Sequence, residues 1–304
     1  MRTISPVSSL NISEIVLGCM RISKMSTKEV VALIQAAQES GINFYDHADI
    51  YGGGKSEEVF GAAMKEMNLP RESVYLQSKC GIRKGMFDYS RDHILEAVDG
   101  SLQRLQTDYL DVLLLHRPDA LVEPQEVAEA FMRLKQSGKV RHFGVSNHRP
   151  LQIELLKQAV QEKLLFNQLQ FSLMFTGMVD AGLNVNMKNQ PSFDHDGGTL
   201  DYCRLHGITV QAWSPFQYGF FDGVFVGNDK FPEVNKALDE VAEAYSVSPS
   251  AVAAAWLLRH PASMQVVLGT TKPSRVRDIS KAADISLSRA DWYKLYLAAG
   301  NELP

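Results

Sequence analysis

Cysteine is scarce, with three in 304 residues. Cys19, Cys80 and Cys203 are scattered, odd in number and without the close spacing of a zinc or redox motif. Neither a disulfide framework nor a thiolate metal centre organises the chain, and a reducing cytoplasm is the expected compartment. Long apolar runs are missing as well. None approaches the ~20 residues that cross a bilayer, and the opening Met1-Arg2-Thr3-Ile4-Ser5-Pro6 lacks the apolar core of a signal peptide. Charge of one sign is also missing: the formal net charge of −4 argues against nucleic acid or an anionic membrane as the partner. There is no internal repeat, no low-complexity tract and no linker between domains. What remains is 45% apolar and 22% charged, an ordinary globule with a sizeable core. Its expected partners are small molecules, and its expected state is a monomer or weak homo-oligomer.

Strand-like and helix-like stretches alternate along nearly the whole length. Strand candidates fall at 15–20, 42–47, 74–79, 109–116, 142–146, 167–172, 209–214 and 265–269. Helix-period segments fall at 27–40, 56–67, 91–106, 124–137, 150–162, 199–206, 249–259 and 274–282. Gly41, Gly138 and Gly207 follow helix ends, and Ser26, Ser90 and Ser248 precede helix starts. Runs such as Val112-Leu113-Leu114-Leu115 suit strands buried on both faces. Eight such units predict an α/β fold, a (β/α)8 TIM barrel forming one domain over 1–304. An amino-terminal hairpin over 2–13 and two extra helices, 231–245 and 288–299, lie outside the count. The connection 173–198 carries no clear periodicity and reads as a lid or binding loop.

In a parallel barrel the carboxyl ends of the strands form the working face. Asp46 ends the second strand, Lys79 the third and His116 the fourth, with Tyr51 in the glycine-rich loop behind Asp46. Each alone has a bland reading as a cap, a surface group or a structural histidine. Three at the same offset on consecutive strands point to one site. The types are also complementary. A phenol with an ordinary pKa of about 10 is a reluctant acid, and a neighbouring ammonium, held charged by a carboxylate, eases release of its proton. Tyr51 is then the general acid, and His116 hydrogen-bonds the substrate oxygen. Acid catalysis at an oxygen with no activated nucleophile suits carbonyl reduction, which needs a hydride-carrying cofactor.

These residues resemble the aldo-keto reductase family. The resemblance runs from about Ile15 to Ala282 and is carried by Asp46-His47-Ala48-Asp49-Ile50-Tyr51-Gly52 with Ser56-Glu57, by Asp108-Tyr109-Leu110-Asp111 leading to Leu114-Leu115-His116-Arg117-Pro118-Asp119, and by Gly138-Lys139-Val140-Arg141 leading to Gly144-Val145-Ser146-Asn147. It implies an Asp, Tyr, Lys, His tetrad at Asp46, Tyr51, Lys79 and His116, and an NADPH extended across the barrel mouth, with NADH as the other candidate. It further implies cofactor contacts at Gly18, Cys19 and Met20. Ser146, Asn147 and Gln168 match residues on the carboxamide, and Trp213 matches the ring that stacks on the nicotinamide. Ser214, Pro215, Phe216 and Gly219 match the family segment along the pyrophosphate. In the loop after strand eight, Gly269, Thr270, Thr271, Lys272, Arg275 and Arg277 form a basic cluster suited to the adenosine 2′-phosphate, Arg275 matching the family arginine. The family's frequent lysine near the start of that loop is replaced by Gly269.

The expected activity is NADPH-dependent reduction of aldehydes or ketones. The competing readings are a cofactor-binding regulatory barrel without turnover and a Schiff-base aldolase using Lys79, against which Asp46 argues by keeping that amine protonated. Gly52-Gly53-Gly54-Lys55-Ser56 imitates the end of a P-loop, but Asp49 stands where its first glycine belongs. Asp194-His195-Asp196 sits in the irregular loop with no further metal ligands.

Overall fold

The computed structural model describes residues 1–304. A short hairpin, β1 (Thr3–Ile4) and β2 (Ile12–Ser13), opens the chain. Then come β3 (Ile15–Gly18), α1 (Thr27–Glu39), β4 (Phe44–Asp46), α2 (Lys55–Glu66), β5 (Tyr75–Cys80), a second hairpin of β6 (Ile82–Arg83) and β7 (Met86–Phe87), α3 (Arg91–Leu105), β8 (Leu110–Leu115), α4 (Pro124–Gln136), β9 (Val140–Ser146), α5 (Pro150–Lys157) and β10 (Leu164–Gln170). After these follow α6 (Gly177–Leu183), α7 (Thr199–Leu205), β11 (Thr209–Trp213), α8 (Pro232–Tyr245), α9 (Pro249–Leu258), β12 (Met264–Leu268), α10 (Pro273–Ser280) and α11 (Arg289–Ala298). Eight strands close into a barrel in the order β10-β11-β12-β3-β4-β5-β8-β9, and every pairing in it is parallel. No helix is long and apolar enough to cross a membrane.

Helix boundaries follow local chemistry. Ser26 and Glu29 form a reciprocal capping box on α1, and the Ser248 hydroxyl accepts from the backbone N–H of Ala251 at the start of α9. Ser90 does not cap α3, and its own N–H instead donates to Asp88. The expected strand at 167–172 starts at Leu164, because Leu164, Leu165 and Phe166 are buried and pair into the sheet, and α5 correspondingly stops at Lys157 rather than 162. The β6–β7 hairpin was not expected. The connection 173–198 holds α6 and a 3-10 turn, Gln190–Ser192. Two glycines within seven residues hide α6 from a propensity reading, and tertiary bonds from Asp180 to Tyr296 Oη and from Thr176 to Asn301 anchor it.

The barrel interior is layered by the two-residue period of its strands. Val16, Phe44, Val112, Leu114, Phe166 and Val267 form one buried cluster with Leu10 and Ile12 of the opening hairpin, which plugs the floor. Two residues beyond Phe44 and Phe166 the inward positions turn polar at Asp46 and Gln168, and Gln77, Lys79, Gln211 and Gln265 are buried with them. The outward positions feed a second, larger core beneath the helices.

Helix α2 crosses α3 so closely that a Cβ at Gly61 would lie 2.7 Å from the Arg104 carbonyl oxygen and 2.8 Å from that of Leu105. In an exposed helix Gly→Ala gains about 1 kcal/mol. Here both obstructing atoms are backbone, so Gly61→Ala is expected to cost about 1–3 kcal/mol, and a urea titration showing stabilisation instead would refute the close-packing argument.

Candidate active site

Strand β4 ends by directing Asp46 into the barrel, and β5 directs Lys79 to meet it. The Lys79 Nζ lies 2.7 Å from Oδ1 and 2.9 Å from Oδ2 of Asp46, and both side chains are buried. The same ammonium donates to the His47 carbonyl (2.7 Å) and to Tyr51 Oη (3.1 Å), which uses all three of its protons. Because Lys79 donates to the phenol oxygen, the phenol's own hydrogen is left for another acceptor. His116 follows β8, its ring 6.0 Å from that of Tyr51 and nearly perpendicular to it. The four groups meet as the strand-end offsets require.

Tyr51 is placed by the tight turn Tyr51–Gly54, where Gly52, Gly53 and Gly54 have φ of 59°, 65° and 90°. A Cβ at Gly52 would stand 2.3 Å from the Ser23 Cβ, so both backbone sign and space require glycine there.

Electrostatics separate the roles. Burial, with Lys79 and Arg117 adding to it, holds the His116 imidazole well below its usual range, so it is neutral near pH 7. Burial opposes the Lys79 ammonium, but Asp46 and Tyr51 outweigh it and raise the amine above its ordinary value. Tyr51 departs from expectation. Lys79 lowers the phenol, yet burial is the larger effect and the net direction is upward.

Above these groups opens a cavity of about 390 Å³. It is lined by Asp46, Tyr51 and His116, by Gly18 and Met20, by Ser146, Asn147 and Gln168, and by Trp213, Ser214, Pro215 and Phe216. It continues to Gly269, Thr270 and Arg275.

A family model described as "Aldo/keto reductase family" matches residues 14–296. The chain belongs to the aldo/keto reductase family. It is 36% identical to an uncharacterized oxidoreductase, YcsN, of Bacillus subtilis and 35% identical to a 6-dehydroglucose reductase of Agrobacterium fabrum, each match covering 100% of both chains. A solved aldo-keto reductase from Klebsiella pneumoniae in complex with NADPH superposes with a TM-score of 0.79 at 25% identity, covering 99% of this chain and 96% of that one.

Within this reductase fold, several residues singled out from the sequence stand away from the cavity. Cys19 is wholly buried in the core, its thiol directed to the Leu17 carbonyl. Arg277 is bound at 2.7 and 3.0 Å to Glu39 on α1, on the outside of the barrel. Gly219, Thr271 and Lys272 do not line the cavity, and the Gly219 carbonyl accepts from Gln170. Gly18 is required by packing, since a Cβ would meet the Leu268 carbonyl oxygen at 2.7 Å. The Asn147 carboxamide is engaged within the chain, accepting from Trp213 Nε1 (3.0 Å) and donating to Ser146 Oγ (2.8 Å). Asp194 accepts from the N–H groups of Asp196 and Gly197, a turn.

Sequence reasoning missed the layer beneath Asp46. Gln77 and Gln168 each donate through Nε2 to Asp46 Oδ1, at 2.6 and 3.1 Å, and to Gln211 Oε1, at 2.9 and 3.0 Å. Gln211 donates to Gln265, which donates to the Ser13 carbonyl in the opening hairpin. A chain of amides thus ties the Asp46 carboxylate to the barrel floor. The inward parity of Gln77 and Gln211 in their strands was the available signal. Arg117, Ile50, Ile82, Phe220 and Phe221, which also line the cavity, were missed as well.

Asp49 supplies a pH signature. Burial, with Glu57 nearby, raises its carboxyl to about 7, and its Oδ1 is buried without a partner. A carboxyl raised on folding contributes stability that is complete below its unfolded pKa and is lost as pH climbs through the folded value. The loss therefore develops between about pH 4 and pH 7. Asp49→Asn is expected to be more stable than the parent at pH 8 by roughly 2–4 kcal/mol relative to the same comparison at pH 4. Parallel stability curves for the two proteins across that range would rule this out.

Proposed function

We propose that the protein reduces the carbonyl of a small aldehyde or ketone to an alcohol, using NADPH in preference to NADH. The observation that carries this reading is the single cluster in which a charged Lys79 donates to Tyr51 Oη while the phenol's hydrogen stays available to the cavity. NADPH, when bound, would supply a hydride for the carbonyl carbon. The carbonyl oxygen then takes its proton from Tyr51. Lys79 stabilises the charge left on the phenol oxygen, and Asp46, held by two glutamine amides, keeps the lysine in place. Neutral His116 orients the carbonyl oxygen without competing as an acid.

The cavity fits the cofactor in kind. Hydroxyl and amide groups on Ser146, Asn147 and Gln168 lie beside the tetrad, an indole face is offered by Trp213, and Arg275, at the start of α10, has no carboxylate partner within 4.0 Å. Ser146, Gln168 and Trp213 would hold the nicotinamide, with Asn147 fixing the indole edge. Ser214 to Phe216 would follow the pyrophosphate, and Arg275 would take the 2′-phosphate through charge-assisted bonds.

The test is the consumption of reduced cofactor with a reactive aromatic aldehyde. Tyr51→Phe is expected to abolish it while leaving NADPH affinity within about threefold, since the change removes one hydroxyl and no cofactor contact. Turnover persisting in that variant would remove Tyr51 from the acid role. Arg275→Leu is expected to weaken NADPH binding about 10- to 100-fold and NADH far less. Equal losses would place the 2′-phosphate elsewhere. Tight cofactor binding with no aldehyde consumed would instead favour a regulatory barrel.

A further inference from the structure

Arg117 directly follows His116 and lines the same cavity, half-buried. Its guanidinium has no carboxylate within 4.0 Å, although the chain carries more acidic than basic residues and most of its half-buried arginines are paired, as Arg71 is to Asp111 and Arg104 to Glu57. It is held in place by other means. The Tyr89 hydroxyl donates to its backbone carbonyl, and the guanidinium carbon lies 5.7 Å from the Trp213 ring centroid and 5.9 Å from that of Phe220. The carboxylate lining the cavity, Asp46, is already engaged by Lys79. Burial lowers the guanidinium from its ordinary value, so partial desolvation is being tolerated without a counter-charge in the protein.

Topology separates this arginine from Arg275, the proposed holder of the 2′-phosphate. In the ring β10-β11-β12-β3-β4-β5-β8-β9, strand β8 lies four places from β12, directly across the mouth. Arg275 follows β12 and Arg117 follows β8, so one cofactor phosphate cannot engage both. The walls on the Arg117 side are apolar: Ile50, Ile82, Trp213 and Phe220.

We propose that Arg117 is a specificity-determining residue that binds a carboxylate on the carbonyl substrate, the preferred substrate being a small aldehyde or ketone with an apolar or aromatic body and a carboxylate at its far end. This rests on the reductase reading and names its substrate class. The guanidinium fork matches a carboxylate with two parallel N–H···O bonds. One guanidinium balances the single charge of a carboxylate. The flat walls accommodate an aromatic spacer, and the fork and the Tyr51–His116 pair grip opposite ends of the molecule.

The experiment compares para-carboxybenzaldehyde with para-methylbenzaldehyde, close in shape but differing in charge, in the parent protein, Arg117→Met and Arg117→Lys. The parent is expected to favour the carboxylate by at least about tenfold in kcat/KM, most of it in KM. In Arg117→Met the ratio falls to about one, and Arg117→Lys, which keeps the charge without the fork, lies between. A parent ratio near one, or a ratio that Arg117→Met does not change, overturns the proposal. So does a loss of NADPH affinity in Arg117→Met as large as the loss for the carboxylated substrate. Calorimetric binding of the two corresponding alcohols, para-(hydroxymethyl)benzoate and para-methylbenzyl alcohol, reads the same preference without turnover. A protein that consumes neither aldehyde yet binds the carboxylated alcohol in an Arg117-dependent way upholds the site while refuting the reductase reading.

Discussion

One buried ion pair sets the terms for the rest of the barrel. Removing Lys79 and Asp46 from water is costly, and their mutual attraction offsets that cost only if every remaining proton and lone pair finds a partner. The protein meets this condition fully for the ammonium, whose three protons go to Asp46, His47 and Tyr51. It meets it for the carboxylate with the Gln77 and Gln168 amides. These amides in turn need acceptors, which Gln211, Gln265 and finally the Ser13 carbonyl supply. The amino-terminal hairpin is therefore more than a plug, because it provides the last acceptor of a chain that begins at Asp46.

That arrangement also accounts for the pattern of charge states. Glutamine amides satisfy Asp46 without bringing a second charge into the barrel, so Lys79 remains the dominant field at Tyr51 and His116. The field acts on both in the same sense, lowering the phenol and the imidazole. Burial acts in opposite senses on the two, raising an acid that ionises to an anion and lowering a base that ionises to a cation. For His116 the two effects reinforce each other and yield a neutral ring. For Tyr51 they oppose, and burial prevails. A sequence lists the ammonium but does not weigh it against desolvation, which is why the expected downward shift of the phenol does not appear.

The legibility of this chain followed the same division. Strand ends were readable because Asp46, Lys79 and His116 interrupt apolar runs at one offset, and eight alternations left few folds to choose among. The hidden features depend on contacts distant in sequence. Helix α6, rich in glycine, is held by Tyr296 and Asn301, 116 and 125 residues away from their partners. Arg277 belonged by position to the basic loop, but Glu39 on α1 claims it. Gln77 and Gln211 looked like ordinary polar interruptions of buried strands until their side chains were seen to meet across 134 residues. Cys19 shares a strand end with Gly18, and parity alone turns it into the outer core.

The motifs that carry the family resemblance do not all bear on the reaction. Asp111, in the second motif, sits near the start of β8, at the floor rather than the mouth. It takes Arg71 at 2.6 Å and Arg141 at 3.2 Å, and the two guanidinium carbons lie 3.8 and 3.7 Å from the Tyr109 ring centroid. Glu57, beside the first motif, is wholly buried between Ser78 and Arg104 and stitches α2 to β5 and α3. Such pairs serve the barrel, because a buried carboxylate left without its arginine is strongly destabilising, by about 3–5 kcal/mol. A match at Asp111, Arg141 or Glu57 is therefore evidence of fold. The case for chemistry rests on the far end of the same strands, where the second motif's last residues, His116 and Arg117, come out beside Tyr51 without a carboxylate partner.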